Sequence, residues 1–295
     1  MGVTGKQMRE TEEAMKTSSR RKSKFSLTLA ALLALSTGVV MGIGANAPAF
    51  ADDDPWPDIH RDVFDNRQII ENDGVIELEA PYRAEDAAVV PLTIRIPAAA
   101  GEVKRLTLVI DKNPAPVAAS FVFGEAAGKG DRMLSTRVRV DMYSNIRAIA
   151  ETADGKLHMA AKFVKASGGC SAAASKDADE ALANLGKMQV RTFENAKAKD
   201  RSSPQREAQV MIRHPNFTGM QMDQLTRQFT PMKIVQEMDV TRDGERIFKM
   251  EGGISISENP NFRFTFAPGS DDTIEVTAKD SDGKVFTASS ARKAS

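Results

Sequence analysis

The chain has one cysteine among its 295 residues, Cys170, in the stretch KASGGCSAAASK. Gly168 and Gly169 precede it; Ser171 and three alanines, Ala172 to Ala174, follow. The thiolate is the nucleophilic form of cysteine, and a free thiol titrates near ~8.5. An exposed Cys170 would therefore be only a few per cent thiolate at neutral pH. The nearest cation in sequence is Lys165, and no histidine lies close by. These residue types flag a reactive or intermolecular thiol on a narrow, small-residue arm. Gly168 and Gly169 would supply the arm's flexibility. If the segment from Ala166 to Lys176 is extended, its tip reaches roughly 15 Å from its anchors. Two plainer readings stand beside this one: a small buried hydrophobe, or a linker whose cysteine is incidental.

Other candidates carry less. His60, His158 and His214 are far apart and lack metal-ligand spacing. His158 reads as an exposed strand residue and His214 as a strand end. Met220, Met222 and Met232 could line a docking surface or a copper-handling site, with core or loop packing as the plainer reading. Asp52 to Asp54 read as a solvated terminus. No Ser-His-Asp set, phosphate loop or dinucleotide fingerprint occurs. The sequence thus offers no catalytic residues, no cofactor-binding or metal-ligating set, and no sign of a stand-alone enzyme.

The N-terminus suggests export. Arg20, Arg21, Lys22 and Lys24 precede an apolar run from Phe25 to Ile43, and Ala49-Phe50-Ala51 matches an A-x-A cleavage pattern. Residues 1–51 are expected to be a signal peptide cleaved after Ala51, which places the mature chain in the periplasm. The paired arginines leave a twin-arginine route open. Basic and acidic residues number forty each, with seven and three in the first 51, so the remainder carries 33 against 37. No basic stripe points to nucleic acid, and no later apolar stretch could span a membrane. One cysteine cannot make an internal disulfide, but it could link two chains through Cys170.

The elements that must position this thiol are mostly strands. Val90, Leu92, Ile94 and Ile96 alternate with polar residues, as do Leu106, Leu108 and Ile110, then Phe121 and Phe123. Val138, Val140 and Met142 oppose Arg137, Arg139 and Asp141, and Leu157, Met159, Ala161 and Phe163 share a face. Period two with one apolar face predicts antiparallel sheets packed on one side. A short helix is expected at 58–70, capped by Asp58, with Ile59, Val63 and Phe64 on one face. A second is expected after Asp177, with Glu180 completing a capping box and a stripe of Ala181, Leu182, Leu185 and Met188. Residues 192–206 read as linker. Period two returns with Ile234, Gln236, Met238 and Val240, and sharply with Phe262, Phe264 and Phe266. Asp243-Gly244 and Asp282-Gly283 signal hairpins. The fold class expected is all-β: two immunoglobulin-like β-sandwich domains, 52–167 and 207–295, joined by a flexible, partly helical linker over 168–206.

At this level the chain resembles a known family. AEDAAVVPLTIRIP with GGC at the end of the first half resembles SoxY, the periplasmic sulfur carrier of the thiosulfate-oxidising Sox system. IRHPNFTG, KIVQEMDV and GGISISENPNFRFTF resemble its partner SoxZ. The order implies a fused SoxYZ-like carrier, a type also associated with periplasmic quinoprotein dehydrogenase systems. The resemblance implies that Cys170 holds a sulfur substrate through an S–S linkage. Sulfur-oxidising, quinoprotein or cytochrome proteins would be the partners. The alternative is a non-covalent docking module for a quinoprotein dehydrogenase system. In SoxY the Gly-Gly-Cys-Gly-Gly arm ends the chain; here Ser171 and Ala172 replace the later glycines and more than a hundred residues follow.

Overall fold

The computed structural model describes residues 54–173, 178–193, 205–223 and 226–290. They belong to one compact unit, Asp52–Ser295. The first half supplies helix α1 (Trp56–Phe64) and strands β1 (Ile69–Glu71), β2 (Glu77–Glu79), β3 (Val90–Ile96), β4 (Val103–Ile110), β5 (Val117–Phe123), β6 (Arg132–Val138), β7 (Ser144–Thr152) and β8 (Leu157–Val164). The second supplies α2 (Ala178–Ala183), β9 (Met188–Phe193), β10 (Arg206–Ile212), β11 (Val235–Arg242), β12 (Glu245–Gly252), β13 (Asn261–Phe266), β14 (Ile274–Asp280) and β15 (Val285–Ser289). The protein is all-β with two minor helices.

The strands form two layers. One sheet runs β1-β8-β7-β4-β5-β12-β11-β14-β15 and the other β2-β3-β6-β13-β10-β9. Each half contributes strands to both layers, so each is a sandwich. The two sandwiches join edge to edge within one chain, β5 pairing with β12 and β6 with β13, both antiparallel. Exposed sheet edges invite pairing with other chains, and here two pairs of edges satisfy one another. Beneath the joint, Phe121 meets Phe248 edge-on at 5.7 Å and Phe262 at 6.0 Å, and Phe248 meets Phe264 at 5.0 Å. Such pairs add about 0.5–1.5 kcal/mol each beyond their buried area. One apolar core therefore runs through both halves.

The phenylalanine triplet in β13 points inward as its alternation predicts. Both Asp-Gly turns form. Asp243 and Gly244 take φ of 50° and 82° between β11 and β12, and Gly283 takes 80° between β14 and β15.

Four expectations are corrected. Helix α1 begins two residues early, at Trp56 after Pro55; Asp58 lies in its first turn and pairs with Arg61 instead of capping. Ile59 and Phe64 are buried while Val63 is largely exposed. Secondly, the large sheet is covered on both faces near α1. Leu157 and Met159 lie with Val109 and Ile149 under Ile59 and Phe64. Ala160 and Val164 of the same strand enter the central core, and Phe163 is exposed.

Thirdly, the stripe expected from Ala181 to Met188 does not form one helix. Helix α2 ends at Ala183, Leu182 is exposed, and Met188 opens β9. Gly186 explains the break: its φ is +80°, and a Cβ there would lie 2.1 Å from the Phe286 ring. Asp177 lies outside the described residues, as does the Glu180 side chain. Fourthly, part of the expected linker is strand. Residues 192 and 193 end β9, which pairs with β10; residues 194–204 lie outside the described residues.

Candidate functional site

Cys170 lies at the meeting of the two halves, and its surroundings differ from a mobile arm. After β8 the chain turns back on the segment that follows β6. Gly168 N–H donates to the Asp141 carbonyl (2.8 Å) and Gly169 N–H to the Val140 carbonyl (3.0 Å). Cys170 N–H donates to the Asp141 carboxylate (3.2 Å). The Ser171 hydroxyl donates to the Gly168 carbonyl (3.3 Å). From the second half, the Thr218 hydroxyl donates to the Cys170 carbonyl at 2.6 Å. The thiol residue is 0% exposed.

The two glycines therefore serve packing as much as freedom. Gly168 takes φ +77°, which favours glycine. Gly169 lies against backbone: a Cβ there would be 2.2 Å from the Ala87 carbonyl oxygen and 2.7 Å from that of Val140. Expected as an exposed, flexible arm tip some 15 Å out, Cys170 sits folded in a tight turn. The reason lies in residues distant in sequence, Val140 and Asp141 from the first half and Thr218 from the second, which a sequence reading of 160–180 cannot see. Burial, helped by Asp141, pushes the thiol up to about 12, and Arg139 opposes this in part.

Arg139 is the site residue that the sequence reading missed. It is 1% exposed, although its place in the alternation puts it on a polar face. Strand β6 ends at Val138, so the alternation stops one residue before it. Its Nη1 donates to the Gly169 carbonyl (3.1 Å), and its Nε and Nη2 have no hydrogen-bond partner. Its backbone is fixed from the second half: Arg139 N–H donates to the Ser255 carbonyl (2.7 Å). Asn113 Nδ2 donates to the Arg139 carbonyl and to the Ser255 hydroxyl, each at 2.8 Å. Asn113 Oδ1 accepts from Asp141 N–H at 2.8 Å. The polar seam is thus continuous from Asn113 to Cys170. No local signal marked it: in sequence Arg139 alternates with Val138 and Val140 as a solvent-facing strand residue would.

The remaining candidates disperse. Lys165 lies over the Tyr82 ring at 4.8 Å, away from the thiol turn's hydrogen bonds. His158, expected to be exposed, is buried, with Nδ1 2.6 Å from the Asp73 carboxylate. His214 is a buried residue after β10; burial drives it down to about 4, against the Asn216 hydrogen bond and Asp280. His60 stacks on Trp56 at 5.6 Å and reaches the Arg67 carbonyl. Met222 and Met232 are surface residues and Met220 is partly buried, so the methionines do not form core. Of the acidic triplet, Asp54 accepts from Trp56 N–H; residues 52 and 53 lie outside the described residues. Among the described residues no three of His, Cys, Asp and Glu gather as metal ligands. Chemically, the turn can present one nucleophile beside one buried cation, once opened.

Two family models match the chain. The family model for sulfur oxidation protein SoxY matches residues 60–170, ending on the cysteine itself. That for sulphur oxidation protein SoxZ matches residues 193–291. A search among curated proteins found no match. Among solved structures, the sulfur carrier protein SoxY from Chlorobium limicola f thiosulfatophilum is 25% identical, with a TM-score of 0.31, over 38% of this chain and 91% of that one. A superoxide reductase (neelaredoxin) from Ignicoccus hospitalis T24K is 15% identical, with a TM-score of 0.27, over 33% of this chain and 93% of that one. The two sandwiches and the thiol between them are a SoxY domain followed by a SoxZ domain, and the chain belongs to these sulfur oxidation families as a fusion of the two.

Proposed function

We propose that this protein is a periplasmic carrier in sulfur oxidation, holding a sulfur compound covalently on Cys170 while partner proteins perform the chemistry. The observation that carries the reading is the match to SoxY ending on the chain's one cysteine, at a turn clasped by both halves. The N-terminal basic, apolar and A-x-A pattern supports export.

The buried thiol fits a carrier that is stowed when unloaded. A thiol held near 12 is almost wholly protonated at neutral pH and resists stray oxidation. Loading requires the turn to open. The hydrogen bonds from Thr218, to Asp141 and from Arg139 are what opening breaks. At about 0.5–1.5 kcal/mol each, they leave a small open population that a docked partner can select. Partners of sulfur-oxidising chemistry are therefore expected to bind over the turn. Met142 and Tyr143, next in chain to Asp141, are half exposed there.

A second reading has one observation in its favour. A fully buried thiol also suits a module that docks a quinoprotein dehydrogenase system non-covalently and never uses Cys170. Intact-mass spectrometry of protein taken from its native periplasm separates the two. A carrier shows sulfur adducts on Cys170, and Cys170→Ser abolishes pathway turnover. An unmodified thiol with a fully working Cys170→Ser strain sinks the carrier reading and leaves the docking one.

A further inference from the structure

Two buried donors flank the thiol turn without partners. Arg139, from the first half, has Nε and Nη2 unpaired while Nη1 holds the Gly169 carbonyl. Gln221, from the second half, is 3% exposed and has Nε2 unpaired. Its Oε1 holds Thr218, accepting from the backbone N–H (2.8 Å) and lying 3.2 Å from the hydroxyl that binds the Cys170 carbonyl. Burying a donor without an acceptor costs about 1–3 kcal/mol, more when it is charged. Glu258 and Asp86 act on Arg139 electrostatically, yet neither accepts from Nε or Nη2. A cation fixed to the Gly169 carbonyl and an amide fixed to Thr218, whose hydroxyl holds the Cys170 carbonyl, offer donors to an acceptor that arrives with the cargo.

We propose that Arg139 and Gln221 form an anion-holding site for a negatively charged group, such as a sulfonate, borne on the sulfur of Cys170. This rests on the carrier reading and adds the residues of this chain that retain the cargo. Arg139 is suited because its guanidinium offers two parallel N–H groups to an oxyanion. Asp141 disfavours negative charge on the bare sulfur; a longer adduct moves the charge away from Asp141 along an S–S bond.

Tetrathionate tests this without an enzyme. The Cys170 thiolate attacks one inner sulfur, the central S–S bond breaks, and thiosulfate leaves with the bonding pair. Cys170 keeps an S–S–sulfonate, its proton goes to solvent, and tetrathionate is the oxidant. The neutral control is bis(2-hydroxyethyl) disulfide, which loads by the same exchange. Rates for the folded full-length chain are divided by those for the urea-unfolded chain, which removes intrinsic reactivity. Opening of the turn is common to both reagents and cancels in their ratio.

The expected result is a tetrathionate preference in the wild type that falls about tenfold in Arg139→Gln, as for a lost charge-assisted hydrogen bond. Arg139→Lys should keep most of it, and Gln221→Leu should lower it less. Should Arg139→Gln fail to fold, Arg139→Lys and Gln221→Leu read the same ratio. Equal normalised rates for both reagents in the wild type and variants overturn the anion site and leave the carrier reading standing. Failure of Cys170 to load with either reagent overturns both.

Discussion

Two buried arginines in this molecule are treated in opposite ways. Arg147, on β7 beneath α1, has every side-chain nitrogen engaged. Nε and Nη2 donate to the Asp111 carboxylate at 2.8–3.0 Å, and Nη1 lies 3.7 Å from the Met159 sulfur. Its guanidinium also lies 3.9 Å from the centre of the Trp56 ring, so one cation pins α1 to the outer face of the large sheet. Arg139, at the seam, has one acceptor and two idle donors. A buried charge is retained for structure when its surroundings saturate it. Arg139 is unsaturated beside the thiol turn, as the proposed anion site requires.

The contrast can be broken most forcefully at Arg147. Arg147→Met should cost about 3–5 kcal/mol by stranding the Asp111 carboxylate, whereas Arg139→Met should cost about 1 kcal/mol or less because few hydrogen bonds are lost. Urea unfolding of the two variants gives the comparison. Equal losses would mean that Arg139 is as structural as Arg147.

A smaller effect should come from pH, and from the seam side. His214 is held neutral with its pKa near 4, below its unfolded value near ~6.5. The unfolded chain therefore binds the extra proton first. The contribution of this group is fully present above pH ~6.5 and is lost as pH falls toward 4, by up to about 3 kcal/mol. Urea midpoints between pH 7 and 4 should drop less in His214→Gln than in the wild type. Parallel curves for the two proteins would remove His214 as the origin.

The smallest effect sharpens the comparison most. Thr218→Val keeps the shape but removes the hydroxyl that holds the Cys170 carbonyl. A loss of about 1 kcal/mol should speed maleimide labelling of native Cys170 roughly fivefold. Global stability, read by urea unfolding, should fall by no more than the same amount. An unchanged labelling rate would show that Thr218 does not latch the turn.

Much of this architecture was legible. The alternation in β3 and the phenylalanine triplet in β13 mark strands because a sheet with one buried face repeats every two residues, whereas β11 departs from its expected face: Val235 is buried and Gln236 exposed at an irregularity in its pairing. The Asp-Gly pairs mark hairpins because both turn residues need positive φ. The cysteine was legible as the residue of interest from its Gly-Gly setting and its solitude. What failed did so at places set by distant residues. His158 was misplaced because β1 and the Asp73 loop cover it. Phe163 was misplaced because β8 changes which face is buried along its length. The 178–188 helix was cut short by Phe286, about a hundred residues downstream.

By itself, the sequence determined the all-β class, the two-part order, the export-like pattern of the N-terminus and the position of the one thiol, because each is written in local period, composition or a unique residue. Only the tertiary structure decided that the two sandwiches share both sheets, that Cys170 is enclosed, and that Arg139 and Gln221 stand beside its turn. Those facts depend on contacts between residues 29 to 142 positions apart in the chain, such as Cys170 with Asp141 and Asn113 with Ser255, and no short-range pattern encodes them.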